Sequence, residues 1–227
     1  MRLSTVILAS LGFLIPFTYA WAGKSINFDG SGDTVATGVT IDLDNALSIS
    51  VWVKVASVST NNYGILGAIT SNRDYWMLLP RTNTNGLTLQ YRRNTDSGGS
   101  MTTTPSQNIS ANTWTHVVVA KGSGSTVKIY QNNIKITDES LSYTGYTPAQ
   151  LFIGSPGDNA NWLNGKIDEA AVWNLELSAA EVTALYNSGS GASALTIQSG
   201  RLQAYWKFDV IAGTTATDSS GNNRHGT

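Results

Sequence analysis

Two carboxylates held about 5–9.5 Å apart across a glycosidic bond are the commonest hydrolytic device for sugars, so the acidic residues come first. The chain has four glutamates, Glu139, Glu169, Glu176 and Glu181. No expected strand offers carboxylates at positions i and i+2 or i+4. Asp168 and Glu169 are adjacent, and neighbours on a regular strand point to opposite faces. The two histidines, His116 and His225, are far apart in the sequence, and there is no cysteine. Cys/His metal sites are therefore excluded by counting. Gly-x-Ser-x-Gly, the signature of a nucleophile elbow, does not occur.

Two other chemistries have residues to support them. Hard cations take carboxylate and carbonyl oxygens on turns. Asp29 and Asp33 flank a glycine-containing turn, and Asp168 lies in a strand that can neighbour it, so these three are the expected ligands of a structural calcium ion. The alternative is that Asp29 caps its own turn and Asp168 accepts backbone N–H bonds in the sheet. Sugar rings stack on exposed aromatic faces while amides and arginine fix the hydroxyls. Tyr75, Trp76, Tyr91, Arg93, Asn159 and Trp162 are the candidate ligand-binding set. Trp162 has a second reading, as a lid over the core beside Leu163.

The elements that would position these residues are strands. The 227 residues carry seven Trp, nine Tyr and 22 Gly, with only 13% charged residues. Low charge with many turn formers and β-branched residues points to an all-β sandwich or barrel. Leu47 to Val55 alternates with period 2, placing Leu47, Ile49, Val51, Val53 and Val55 on one face. Trp52 falls on the other face, to be either exposed there or covered by the partner sheet. Trp114 to Lys121 and Thr126 to Tyr130 pair as a hairpin around Gly122-Ser123-Gly124-Ser125. Tyr75 to Leu79 and Leu87 to Arg92 read as further strands. Asn164-Gly165 turns into a strand ending near Trp173. A helix follows, with Ser178 as its cap and Glu181 closing a capping box. The net charge is −1 and the lysines and arginines are scattered, which leaves no footprint for nucleic acid.

Residues 1–22 read as a separate unit. Arg2 precedes an apolar run from Val6 to Phe17, and Ala20-Trp21-Ala22 supplies a small-x-small cleavage pattern. The expectation is a signal peptide cut after Ala22 and a secreted or cell-surface protein, with no membrane contact after cleavage. An uncleaved membrane anchor is the alternative.

Four stretches, Ile26 to Asp33, Leu47 to Val55, Trp114 to Val117 with Val127 to Tyr130, and Asn164 to Tyr186, resemble in order the laminin-G-like jelly roll of the concanavalin A-like lectin and glucanase group, which includes pentraxins. The resemblance implies an all-β, two-sheet antiparallel jelly-roll sandwich with one short helix near its C-terminal end, over residues 23–188. Residues 189–200 then read as a linker. Residues 201–227, with Leu202 to Asp209 at their start, resemble what normally opens such a domain. They either fold back to complete this one, in a permuted arrangement, or begin a truncated second domain. Function is expected to be non-catalytic recognition: binding carbohydrate, or adhesion through a cell-surface protein partner. The alternatives are a structural or protein-interaction jelly roll without a sugar site and a glycoside hydrolase.

Overall fold

A computed structural model describes residues 24–57, 64–69, 75–81, 86–92, 100–103, 109–140, 148–155, 157 and 161–227, with backbone alone for 75–81, 86–92, 100–103, 137, 139 and 210–212. Two antiparallel sheets stack face to face. The larger contains β1 (Ile26–Asp29), β3 (Leu47–Val55), β8 (Thr115–Lys121), β9 (Thr126–Gln131), β10 (Ile134–Ser140), β12 (Asn164–Trp173), β13 (Leu202–Ala212) and β14 (Thr215–Asp218). Its order is β10-β9-β8-β3-β12-β13-β14, with β1 also paired to β12. The smaller contains β2 (Val35–Ile41), β4 (Leu66–Ile69), β5 (Tyr75–Arg81), β6 (Gly86–Arg92), β7 (Ser100–Thr103) and β11 (Ala149–Ile153), in the order β2-β11-β4-β5-β6-β7. The expected two-sheet jelly-roll sandwich is present.

The period-2 reading of β3 predicts the core. Leu47, Ile49, Val51, Val53 and Val55 all enter the layer between the sheets. Trp52, on the opposite face, is also buried, and what covers it is a helix, not the second sheet. The helix α1 (Ala179–Tyr186) lies on that outer face with the short turns around Ala194. Tyr186 stacks on Trp52 at 5.9 Å and 13°, and Trp52 packs on His116 at 4.9 Å. Val182 and Leu185 complete the buried stripe of α1. A helix of eight residues has little intrinsic stability, so this packing and its caps hold it. Ser178 accepts from Glu181 N–H while the Glu181 carboxylate accepts from Ser178 N–H at 2.7 Å, the expected capping box. The left-handed C-cap is Asn187 (φ 46).

One edge of β12 is shared by two strands. Ile26 to Asp29 face Ile167 to Asn164, and Leu202 to Trp206 face Trp173 to Ala170. The residues between α1 and β13 form short 3-10 turns and bury Ala194. Trp206, Tyr205 and Phe208 of β13 are buried. The tail then crosses to the other sheet: Gly226 bridges Ala216, while Thr227 exchanges both backbone hydrogen bonds with Ala36 of β2 (2.8 and 3.1 Å). Gly154 is required beside this core, because it holds φ +82 and a Cβ there would sit 2.1 Å from the Phe28 ring.

Candidate functional site

The register of the smaller sheet places most of the expected aromatic set. Trp76 of β5 pairs with Tyr91 of β6, and Tyr75 pairs with Arg92. Position 76 is also opposite Ala68, which is opposite Leu151, and both of these are core residues. Positions 76 and 91 thus share the parity of the core-lining row, whereas position 75 has the opposite parity. Arg93 and Asn159 lie outside the described residues. Trp162 is half-buried, and its neighbours are tied down: Asn161 C=O accepts from Gly64 N–H (2.6 Å), and Leu163 N–H donates to Gly154 C=O (2.8 Å).

The three aspartates expected around calcium do not converge. Asp29 is opposite Asn164, four residues before Asp168 on β12, which is about 13 Å along a strand. Asp29 Oδ1 accepts from Ser31 N–H (2.7 Å), and Asp33 Oδ2 accepts from Asp29 N–H (3.0 Å). These bonds are those of a capped turn. Among the described residues no group of three His, Cys, Asp or Glu side chains could hold a metal ion. A cation shared by Asp29, Asp33 and Asp168 does not fit this register.

Simple alternation fails at Asp168 and Glu169. The β12–β3 register slips between Asp168 and Ala171, and Glu169 takes φ +51, so the strand bulges there. Asp168 is 2% exposed and accepts from Glu169 N–H at 3.0 Å. Burial first, then the charges of Glu169 and Asp209, push its carboxyl up to about 7. Glu169 is raised as well, again chiefly by burial, although a hydrogen bond from the Tyr205 phenol works against this.

Behind α1 lies a second buried polar pair. Ser50 Oγ and His116 Nε2 are 2.8 Å apart, and burial lowers the imidazole to about 3. A neutral, enclosed histidine of this kind is structural, in keeping with its strand position.

An open groove of about 490 Å³ lies at one end of the sandwich. That is within the roughly 300–1,000 Å³ of typical ligand pockets. Val39, Ile41, Leu47 and Val172 form an apolar floor. Thr40, Asp42, Asn45, Asn174, Arg201, Gln203 and Arg224 supply polar groups. These come from β2, the β2–β3 turn, the end of β12, the start of β13 and the C-terminal loop. Arg201 is fixed to Asn174 by two bonds, its Nη2 to Asn174 C=O and Asn174 N–H to its own C=O, both 3.1 Å. None of these residues stands out in the sequence, because segments far apart in the chain each contribute a few. The one available signal was an arginine at either end of the β13–β14 segment.

A laminin-G family model, described as the concanavalin A-like lectin/glucanases superfamily, matches residues 29–183, more than half of the chain. The chain belongs to the concanavalin A-like lectin/glucanases superfamily. Solved members of similar shape are distant in sequence. A Bacteroides ovatus protein provisionally described as carbohydrate binding superposes with a TM-score of 0.63 at 17% identity, over 90% of this laminin-G-like chain and 57% of its own length. This jelly roll therefore spans little more than half of that protein. A heptameric pentraxin from Limulus polyphemus matches at TM-score 0.57 and 17% identity, over 83% of this chain and 93% of its own. Domain 4 of an extracellular arabinanase from Geobacillus stearothermophilus, solved with arabinotriose, matches at TM-score 0.56 and 22% identity, over 72% and 77% respectively. At these identities the likeness shows a common fold. No curated protein matches this jelly roll by sequence.

Proposed function

We propose that the chain is a non-catalytic carbohydrate-binding module, exported through its first 22 residues and displayed at a cell surface or in the extracellular matrix. The observation that carries this reading is the end groove, an apolar floor rimmed by amides and guanidinium groups. Sugars present an apolar C–H face and a rim of hydroxyls, and such a lining answers both. The shared fold with a pentraxin and an arabinotriose-bound domain supports it.

Catalysis has less to draw on. Of the three glutamates whose side chains are described, Glu169 accepts from Tyr205, Glu176 pairs with Lys128 and Glu181 caps α1. Asp168, the carboxyl most suited to staying protonated, is enclosed within the sheet. A glycoside hydrolase would need an exposed pair.

A glycan array probed with the wild type, Asn174→Ala, Trp162→Ala and Tyr75→Ala tests the proposal. Binding lost in Asn174→Ala locates it in the groove, while loss in Trp162→Ala or Tyr75→Ala moves it to the smaller sheet and its loops. Silence across the array, together with a stable oligomer on size exclusion, would replace it with a protein-interaction role. Mass spectrometry of the mature protein, expected to begin at Gly23, tests export.

A further inference from the structure

We infer that the end groove selects sugars bearing a carboxylate, such as uronic or sialic residues, through Arg201 and Arg224. This deepens the carbohydrate-binding reading and rests on it. The charged residues lining the groove are two arginines and one aspartate. Asp42 has both carboxylate oxygens engaged in its own turn, Oδ1 accepting from Asp44 N–H (2.9 Å) and Oδ2 from Asn45 Nδ2 (2.7 Å). No ion pair joins it to either arginine among the described residues.

Arg224 has a fixed base and a free head. Its N–H donates to Asp218 Oδ2 (2.9 Å), and its C=O accepts from Trp206 Nε1 (3.0 Å). Its guanidinium makes no hydrogen bond or ion pair with the described residues. Arg201 is oriented by Nη2 on Asn174 C=O, which leaves its other donors available. A guanidinium is planar and never neutral, so it can meet a carboxylate with two parallel hydrogen bonds. Holding the base in advance lowers the ordering cost of that contact. Asn45, Asn174 and Gln203 on the same rim can take the hydroxyls.

Calorimetry of the full chain tests this with trigalacturonate and sialyllactose, each beside its neutral counterpart, galactotriose and lactose. At low salt at least one acidic sugar should bind about tenfold tighter than its counterpart, and the preference should shrink as salt is raised. Arg224→Gln should erase the preference without moving the melting temperature, since only backbone atoms of Arg224 hold the fold. Arg201→Gln is the second variant should the first misfold. Which acidic sugar binds distinguishes a uronate from a sialate source. Equal affinity for acidic and neutral forms, or a preference intact in both variants, overturns the inference while leaving the module reading in place. Absence of binding to any of these sugars and across the array overturns both.

Discussion

The phenol of Tyr205 on β13 donates a hydrogen bond to the Glu169 carboxylate at the bulge of β12. It joins the C-terminal strand to the point where the neighbouring strand departs from regular alternation. Burial, with Glu169 adding to it, keeps the phenol well above its ordinary value, so it remains a donor across the usable pH range. Removing that donor leaves a half-buried carboxylate short of a partner. Tyr205→Phe should cost about 1–3 kcal/mol in chemical denaturation. Glu169→Gln in the same background should recover part of the loss, and strict additivity of the two changes would show that the bond contributes nothing.

Asp168 sets a pH dependence of stability. Its folded-state value, about 7, is above that of an exposed aspartate, so the folded chain holds a proton that the unfolded chain has released. Stability should be fullest near pH 4 and fall as pH rises to about 7. Glu169 acts in the same direction. Thermal midpoints across this range should drop by several degrees, and Asp168→Asn should flatten the slope. A midpoint rising from pH 4 to 7 in the wild type would contradict the assignment.

At the acid end Asp218 works in the opposite sense. Burial alone would raise its carboxyl, but N–H bonds from Arg224, Ser220 and Tyr205 and the Ser220 hydroxyl outweigh that and hold it below the ordinary value. Its contribution is present above the unfolded value and is lost as pH falls through the folded one. Asp218→Asn should lower the midpoint at pH 6 and reduce the additional loss seen below pH 4, as read by calorimetry.

The strands after α1 are expected to be part of one folding unit with residues 23–188. Trp206 is fully buried and its Nε1 is bonded. Trp206→Ala should destabilise by about 3–5 kcal/mol. A chain ending at Ser188 would expose the half-edge of β12 and the row under β13, and should aggregate. A soluble truncated chain with an unchanged melting temperature would instead make 201–227 a separate piece.

The helix cap gives a smaller effect. Ser178→Ala removes the acceptor for Glu181 N–H and should cost about 1 kcal/mol, a shift of about 2–4 °C in a chain of this size. A shift of zero would mean that packing of Val182, Leu185 and Tyr186 alone holds α1.

Much of the fold was legible in local pattern. The alternation of Leu47 to Val55 and the spacing of Ser178 and Glu181 work over a few residues, where dihedral period and hydrogen-bond reach leave little freedom. The reading failed at Glu169, because a bulge depends on the register of two neighbouring strands, and no local period encodes it. Its two readings of Trp52, exposed or covered by the partner sheet, both missed the helix, because alternation says which face a residue takes but not what lies above that face.

The candidate site was hardly legible. Asp29 and Asp168 belong to paired strands, yet the register sets them about four residues apart, and register is a property of the sheet. Trp76 and Tyr91 are suitable sugar platforms by type, but pairing with Ala68 gives their positions the parity of the core row. By itself the sequence determined the strand periods, the capped helix and the lack of a Cys/His site, since those follow from residue type and short spacing. Only the tertiary structure decided that Arg201 and Arg224, from either side of the last two strands, line one groove with Asn45 and Asn174. Long-range pairing of β2, β12 and β13 brings them together, and that pairing follows from burying both sheet faces at once.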